Sequence, residues 1–237
     1  MERDWVHELE ADLQNRFAQL SRIISSRAPL SGVRIVPPLA REEAKYFLLG
    51  LENGLFQLDP EGYVESELFP PRGEAEGEAQ MCQIFWSHPP RLFRESICQL
   101  ATASALILKR GWPRNQVRLE PSIEEQASAA AGVDVLVLTG AGEVLIAVEV
   151  KRNAAELQKL LMDLQACSRR GSHAEVDCGF PQNHPKYEFC LSHQPRYFWA
   201  VAPEAEACFK MKYADGAIAP ELLTSLPPRS LIELEAV

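Results

Sequence analysis

The chain predicts an α/β fold: a three-layer sandwich with helices on both faces of a central mixed four-stranded sheet, preceded by a small α+β extension. Three observations carry this expectation. Residues 132–138 and 143–150 are short aliphatic and β-branched runs on either side of Thr139-Gly140-Ala141-Gly142, whose glycines can take the positive φ angles of a tight hairpin. Both runs are apolar almost throughout, as expected of strands covered on each face. Helix-period segments flank them at 91–110 and from 153 to about 169, and apolar runs at 116–120 and 197–202 supply a first and a fourth strand. The order is then helix, strand, strand, strand, helix, strand. That is an antiparallel meander feeding a crossover helix and a strand parallel to the third.

From the N-terminus, Trp5, Leu9, Leu13, Phe17, Leu20 and Ile24 recur at spacings of three and four, which predicts an amphipathic helix from 4 to about 25. The stripe suits packing on a core, and its near-heptad spacing also suits a homodimer contact. A linker at 26–31 follows, then a short strand at 33–36 closed by Pro37-Pro38, and a second helix at 40–51 stopped near Asn53-Gly54. Residues 55–58 and 63–65 around Asp59-Pro60-Glu61-Gly62 predict a hairpin. Helix and hairpin together could form a recognition module, although their acidity does not favour DNA. The segment 69–80, rich in Pro, Gly and Glu, reads as a flexible loop and domain boundary. Two units are expected: an extension at 1–85 and a core at 86–237.

Within the core, Leu92, Phe93, Ile97, Leu100, Ala101, Ile107 and Leu108 form the apolar face of the first helix, which ends at Gly111-Trp112-Pro113. Glu95 stands near its start, with Gln99 and Thr102 on the same side. Residues 122–131 are a small-residue connection. In the helix after the hairpin, Leu157, Leu160, Leu161 and Leu164 make the buried stripe and Asn153 is placed to cap it. The stretch 171–195 reads as a loop insertion carrying His173, Cys178, His184, Cys190 and His193. Cys190-x-x-His193 is half of a zinc spacing, but paired ligand knuckles are missing, so Cys178, His184, Cys190 and His193 are not expected to hold zinc. Residues 204–213 are ambiguous between a short helix and an edge strand, and the segments near 220–223 and 231–234 read as peripheral packing.

With 237 residues, 46% apolar and 24% charged, the chain has the composition of an ordinary soluble globular protein. No apolar run approaches the ~20 residues of a membrane span. The charged start, Met1-Glu2-Arg3-Asp4, lacks an apolar signal core. Six scattered cysteines without a Cys-x-x-Cys predict reduced thiols and a cytoplasmic location. A net charge of −9 argues against a general nucleic-acid binder. Most of the acid excess lies before Arg91, however, and 91–170 is slightly basic by count.

Three charges interrupt the paired apolar runs: Asp134, Glu149 and Lys151. A charge in a buried strand is costly unless it is paired or holds a metal. Glu149 and Lys151 are two apart and so share a face. Pairing of Leu138 near Val144 or Leu145 brings Asp134 within reach of 148–150. Two carboxylates on rigid strands suit a hard divalent cation, Mg²⁺ or Mn²⁺, with the Val150 carbonyl as a further ligand. Lys151 would orient the attacking water or balance charge on phosphorus. The bland reading of the same residues is a buried ion pair without metal.

Gly132-Val133-Asp134 followed by Val148-Glu149-Val150-Lys151 resembles the PD-(D/E)XK nuclease superfamily, whose fold is called restriction-endonuclease-like. The family pattern is Pro-Asp, a spacer, then Asp/Glu-x-Lys; Val133 stands here where Pro is usual, a position that varies. The resemblance covers roughly 91–213. It implies a Mg²⁺-dependent nuclease in which Asp134 and Glu149 bind metal and Lys151 acts on water or phosphate. An acid on the first core helix often approaches the metal in this family, and Glu95 is the matching position; its plain role is to face the helix dipole. Some branches carry Gln-x-x-x-Tyr on the helix after the motif. Gln165 matches the Gln, and Arg169 replaces the Tyr. Arg169 and Arg170 are candidate phosphate contacts or a solvated helix end. DNA is the expected substrate rather than RNA. The alternative is an idle nuclease-like fold acting as a binding or scaffolding protein.

Overall fold

The computed structural model describes residues 2–24, 32–69, 82–87, 90–119, 133–170 and 178–234. The expected linker, the Pro/Gly/Glu-rich boundary at 70–80, the connection at 122–131 and His173 lie outside them. Helix α1 (Trp5–Ile24) turns the predicted stripe inward, with Leu9, Leu13, Phe17 and Leu20 each at most 1% exposed. The stripe that suited a dimer contact therefore packs in the chain's own core, and nothing supports a homodimer through it. Residues 33–36 do not form the expected strand. The Gln14 side-chain amide takes both main-chain groups of Val33, through Nε2 to O at 2.7 Å and N to Oε1 at 2.8 Å. A side chain thus supplies what a neighbouring strand would have supplied. Helix α2 (Arg41–Glu52) and the hairpin β1 (Gln57–Leu58) with β2 (Val64–Glu65) follow as expected. Asp59 Oδ1 accepts from the amides of Glu61 and Tyr63 at 2.8 Å each, closing the turn. A second hairpin, β3 (Phe85–Ser87) with β4 (Pro90–Leu92), takes residues that the helical period had assigned to the next helix.

Helix α3 (Arg94–Leu108) lies against α2, and a buried ion pair joins the two. Arg94 donates to both carboxylate oxygens of Glu43, with Nη2 to Oε2 at 2.6 Å, and also to the carbonyls of Pro37 and Pro38. Leu9, Phe17, Phe47 and Phe56 share one apolar cluster with Ile97, Leu100, Val135, Ile146 and Trp199. The segment expected as an extension is continuous with the core.

The central sheet has six strands: β5 (Val117–Leu119), β6 (Val135–Leu138), β7 (Val144–Val150), β8 (Tyr197–Ala202), β9 (Ala205–Ala214) and β10 (Ala217–Leu223). They lie in the order 10-9-8-7-6-5, and only the β7–β8 pair is parallel. Helix α4 (Ala154–Arg170), capped by Asn153 Oδ1 on the Glu156 amide at 2.9 Å, and helix α5 (His184–His193) make the crossover. A short α6 (Arg229–Leu234) ends the described chain.

The sheet differs from the expected four strands by the long β9–β10 ribbon. Ala214 pairs with Ala217 across Asp215-Gly216, both at positive φ (52° and 71°), the two-residue turn whose twist suits a hairpin. Pro220 sits on β10, an edge strand, where a missing amide donor does no harm. Helix α5 likewise replaces part of the expected loop insertion.

Period-two alternation divides the sheet between two apolar clusters. Val135, Val137, Ile146 and Val148 face α3, whereas Leu136, Ala147, Phe198 and Ala200 join Leu157, Leu160, Tyr187 and Phe189 of α4 and α5. Helices cover both faces, so the molecule is a mixed α/β fold.

Candidate metal centre

The register of β6 on β7 places Asp134. Val135 pairs with Val148, and the ladder runs one step further as the Asp134 amide donates to the Val148 carbonyl at 3.2 Å. Asp134 thus stands across from Glu149, on the same face. Its Oδ2 accepts from the Val150 amide at 2.5 Å, and its main-chain carbonyl accepts from Gln99 Nε2 of α3 at 2.9 Å. The residue is held on one side by β7 through its carboxylate and on the other by α3 through its main chain.

Glu149 is 1% exposed, the last but one residue of the central strand. Lys151 follows as the chain leaves β7, its amide still bonded to the Val201 carbonyl of β8 at 2.8 Å. Lys151 Nζ donates to Glu149 Oε1 at 2.6 Å, to the Val150 carbonyl at 2.8 Å and to Glu95 Oε1 at 3.0 Å. Glu95, on the first turn of α3, is the most exposed member at 43%. A fifth side chain enters from α5: Lys186 Nζ lies 3.2 Å from Glu149 Oε1.

Burial pushes the Asp134 carboxyl well above the usual carboxylate range, and repulsion from Glu149 adds to it. Burial by itself would lower the Lys151 ammonium. The charges of Glu149, Asp134 and Glu95 outweigh it and hold Lys151 above its ordinary value. Neighbouring carboxylate charge raises both groups, but for Asp134 burial is the larger cause.

Two observations bear on whether a divalent cation fits. Glu149 Oε2 is buried and has no hydrogen-bond partner. An unmatched carboxylate oxygen costs about 1–3 kcal/mol or more, and a cation would satisfy it. In addition, the Lys151 ammonium sits on oxygens of Glu95, Glu149 and Val150, three of the four groups that the sequence offers as ligands. The oxygen set already holds a positive charge. In kind, Glu95, Asp134, Glu149 and the Val150 carbonyl offer the hard oxygens that Mg²⁺ or Mn²⁺ takes, but the three carboxylates do not form a group whose ligand atoms all lie within 4.8 Å of one another.

Gln165, Arg169 and Arg170 are not brought to this cluster. All three are exposed on the last turns of α4, and a helix rises about 1.5 Å per residue. Arg169 therefore lies roughly 20 Å along the axis from the Lys151 end. Lys186 is the residue that the sequence reading passed over. It stands in a segment read as loop, and no spacing ties it to Glu149.

The Cys/His stretch is arranged differently from its sequence spacing. Cys167 of α4, Cys178 and His184 bring ligand atoms within 4.8 Å of one another. Cys190 is buried on α5 outside that group, and the His193 ring lies 4.4 Å from Phe189. A cleft of about 320 Å³ beside α2 and α3 is lined in part by Glu42, Glu43, Glu204 and Glu206 and does not include Asp134, Glu149 or Lys151.

Comparison with protein-family models, with curated proteins and with solved structures yields no match for this chain. The nuclease resemblance thus stands on the motif residues and on the order of elements around them.

Proposed function

We propose that the chain is a divalent-metal-dependent phosphodiesterase acting on nucleic acid, DNA rather than RNA, on a restriction-endonuclease-like core with two added strands. One observation carries this reading: Glu149, Glu95 and the Val150 carbonyl hold a cation, the Lys151 ammonium, with Asp134 across the hairpin from Glu149, while Glu149 Oε2 remains buried and unmatched. A divalent cation in that set supplies a Lewis acid and an activated water at neutral pH.

The residues then divide the work by position. Asp134 is held by the Val150 amide and through Gln99, so its carboxylate is fixed before substrate arrives. Glu149 bridges the two lysines. Lys151, partly exposed at 18%, balances the charge of Glu149 and Glu95, and its ammonium would stabilise developing phosphate charge at the open side of the cluster. Lys186, 13% exposed, keeps Glu149 oriented meanwhile. Glu95 lies at the open side, where its carboxylate could accept a proton from an incoming water.

A second reading has an observation of its own. Lys151 and Lys186 both approach Glu149 Oε1, so the cluster is partly compensated by lysines alone. An idle nuclease-like fold serving as a scaffold would keep such a cluster, and the net charge of −9 suits it better than a general DNA binder. Incubation with mixed DNA and RNA substrates in Mg²⁺, Mn²⁺ or EDTA, beside Asp134→Ala, separates the two. Cleavage that needs metal and disappears in the variant supports the enzyme. Wild-type protein inert on every substrate supports the scaffold.

A further inference from the structure

Away from the carboxylate cluster, two thiols and an imidazole meet where α4 ends and α5 begins. Cys167 is on the last turn of α4, Cys178 precedes α5, and His184 is the first residue of α5. Cys167 and His184 are buried and Cys178 is half-buried. The sulfurs of Cys167 and Cys178 are 3.4 Å apart, and all three ligand atoms lie within 4.8 Å. A disulfide holds its sulfurs about 2.0 Å apart, so these two are not bonded. Tetrahedral zinc, with Zn–S about 2.3 Å and Zn–N about 2.0–2.1 Å, needs its ligand atoms roughly 3.5–3.8 Å apart. The observed separations bracket that requirement and need only small side-chain adjustments.

We propose that Cys167, Cys178 and His184 bind one zinc ion, which staples the end of α4 to the start of α5. Two thiolates and an imidazole select a soft or borderline cation over Mg²⁺, so this centre and the carboxylate cluster differ in metal as well as in place. The fourth position falls to water; Asp163, one turn before Cys167, is outside the group, and its Oδ2 accepts from Lys159 Nζ at 2.5 Å and from Asn183 Nδ2 at 2.7 Å. His184 Nε2 lies 3.2 Å from a Glu188 oxygen, and a carboxylate on a ring nitrogen is the usual outer partner of a ligating histidine. Spacing along the chain argues against zinc at Cys178, His184, Cys190 and His193. Folding changes the set, because Cys167 comes from the preceding helix and Cys190 and His193 fall away. The ion has a structural task whatever the carboxylate cluster does: it fixes the first turn of α5, and Lys186, two residues after His184, reaches Glu149 from that turn.

The test is zinc content of the full chain after reconstitution and dialysis, with Co²⁺ substitution as a spectroscopic probe. Wild type should retain one zinc per chain and show a near-ultraviolet thiolate-to-cobalt charge-transfer band. Cys167→Ser, Cys178→Ser and His184→Asn should each weaken zinc binding by more than about 100-fold, beyond the effect of losing an outer partner. Cys190→Ser and Glu149→Gln should retain both the zinc and the band. If a ligand variant fails to fold, wild type carries the test alone: a zinc-specific chelator should lower its melting temperature, and zinc should restore it. The proposal is overturned by wild type that keeps no zinc, by zinc that survives both Cys167→Ser and Cys178→Ser, or by zinc lost in Cys190→Ser or Glu149→Gln. A Cys167–Cys178 disulfide, found by peptide mass mapping in zinc-free protein that cannot be loaded after reduction, overturns it as well.

Discussion

Glu149 offers one oxygen to two lysines and leaves the other buried without a partner. If that oxygen and Asp134 hold Mg²⁺, Glu149→Gln keeps the shape and removes the charge. Cleavage should disappear and Mg²⁺ affinity by calorimetry should fall by at least about 100-fold, the loss expected beyond an outer-partner change. Lys151→Ala should lower the cleavage rate by about 100- to 1,000-fold, as for other single charge-stabilising donors, while Mg²⁺ binds as well or better, since a neighbouring positive charge is gone. A Lys151→Ala protein that cleaves at the wild-type rate would remove Lys151 from the chemistry. Asp134 makes a separate prediction about pH. Burial, with Glu149 next, raises its carboxyl in the fold, so the folded state holds that proton more tightly than the unfolded chain does. Stability from this group is then fullest below the ordinary carboxylate value of about 4 and is lost as pH rises toward the raised value in the fold. In metal-free protein, Asp134→Asn should raise the melting temperature at pH 8, by about 2–4 °C for each kcal/mol relieved, and change it little at pH 4. It should abolish cleavage at both. Equal melting temperatures at pH 8 would show that Asp134 carries no such strain.

At the scale of elements, α2 and α3 are joined by Glu43 and Arg94, each side chain at most 3% exposed. Breaking a buried pair from one side leaves an uncompensated charge, which costs about 3–5 kcal/mol. Arg94→Met should destabilise the protein by that amount in urea unfolding, and Glu43→Leu added to it should restore most of the loss. A single variant as stable as wild type would mean that solvent reaches Glu43. The β9–β10 ribbon shows how an element can be legible and still be passed over. Asp215-Gly216 between paired strands is a strong short-range hairpin signal. In β9, Phe209, Met211 and Tyr213 alternate with Lys210 and Lys212 and pack on the second apolar cluster, which fits the edge strand that 204–213 left open; β10 is largely exposed and carries no such alternation, so its pairing is hidden. Helix α5 was less accessible: Pro185 near its start, two histidines and a cysteine outweigh a weak periodicity.

For the whole molecule, the first 85 residues do not stand apart. Leu9, Leu13, Phe17 and Phe47 are at most 1% exposed within the cluster that also holds Ile97, Val148 and Trp199. Each such side chain contributes about 1.5–3 kcal/mol when buried, against a total stability of about 5–15 kcal/mol for a typical domain. A fragment of residues 86–237 should therefore lack a cooperative unfolding transition by circular dichroism, or aggregate, whereas the full chain unfolds cooperatively. A fragment that melts like the full chain would establish the two-unit division. The described residues include no helix long and apolar enough to cross a membrane.

The chain alone determined the central hairpin and the shared face of Asp134, Glu149 and Lys151, because strand periodicity and a glycine turn are local properties readable over some twenty residues. It also determined that α1 has one apolar stripe, but not what that stripe touches. Whether the stripe met α2 and β3 or a second copy depended on the surface left bare by the rest of the fold. Lys186 beside Glu149, and Cys167 beside Cys178 and His184, were decided by how α4 and α5 pack on the sheet. Those contacts join residues far apart in the chain, and no pattern of spacing encodes where two helices come to rest against each other.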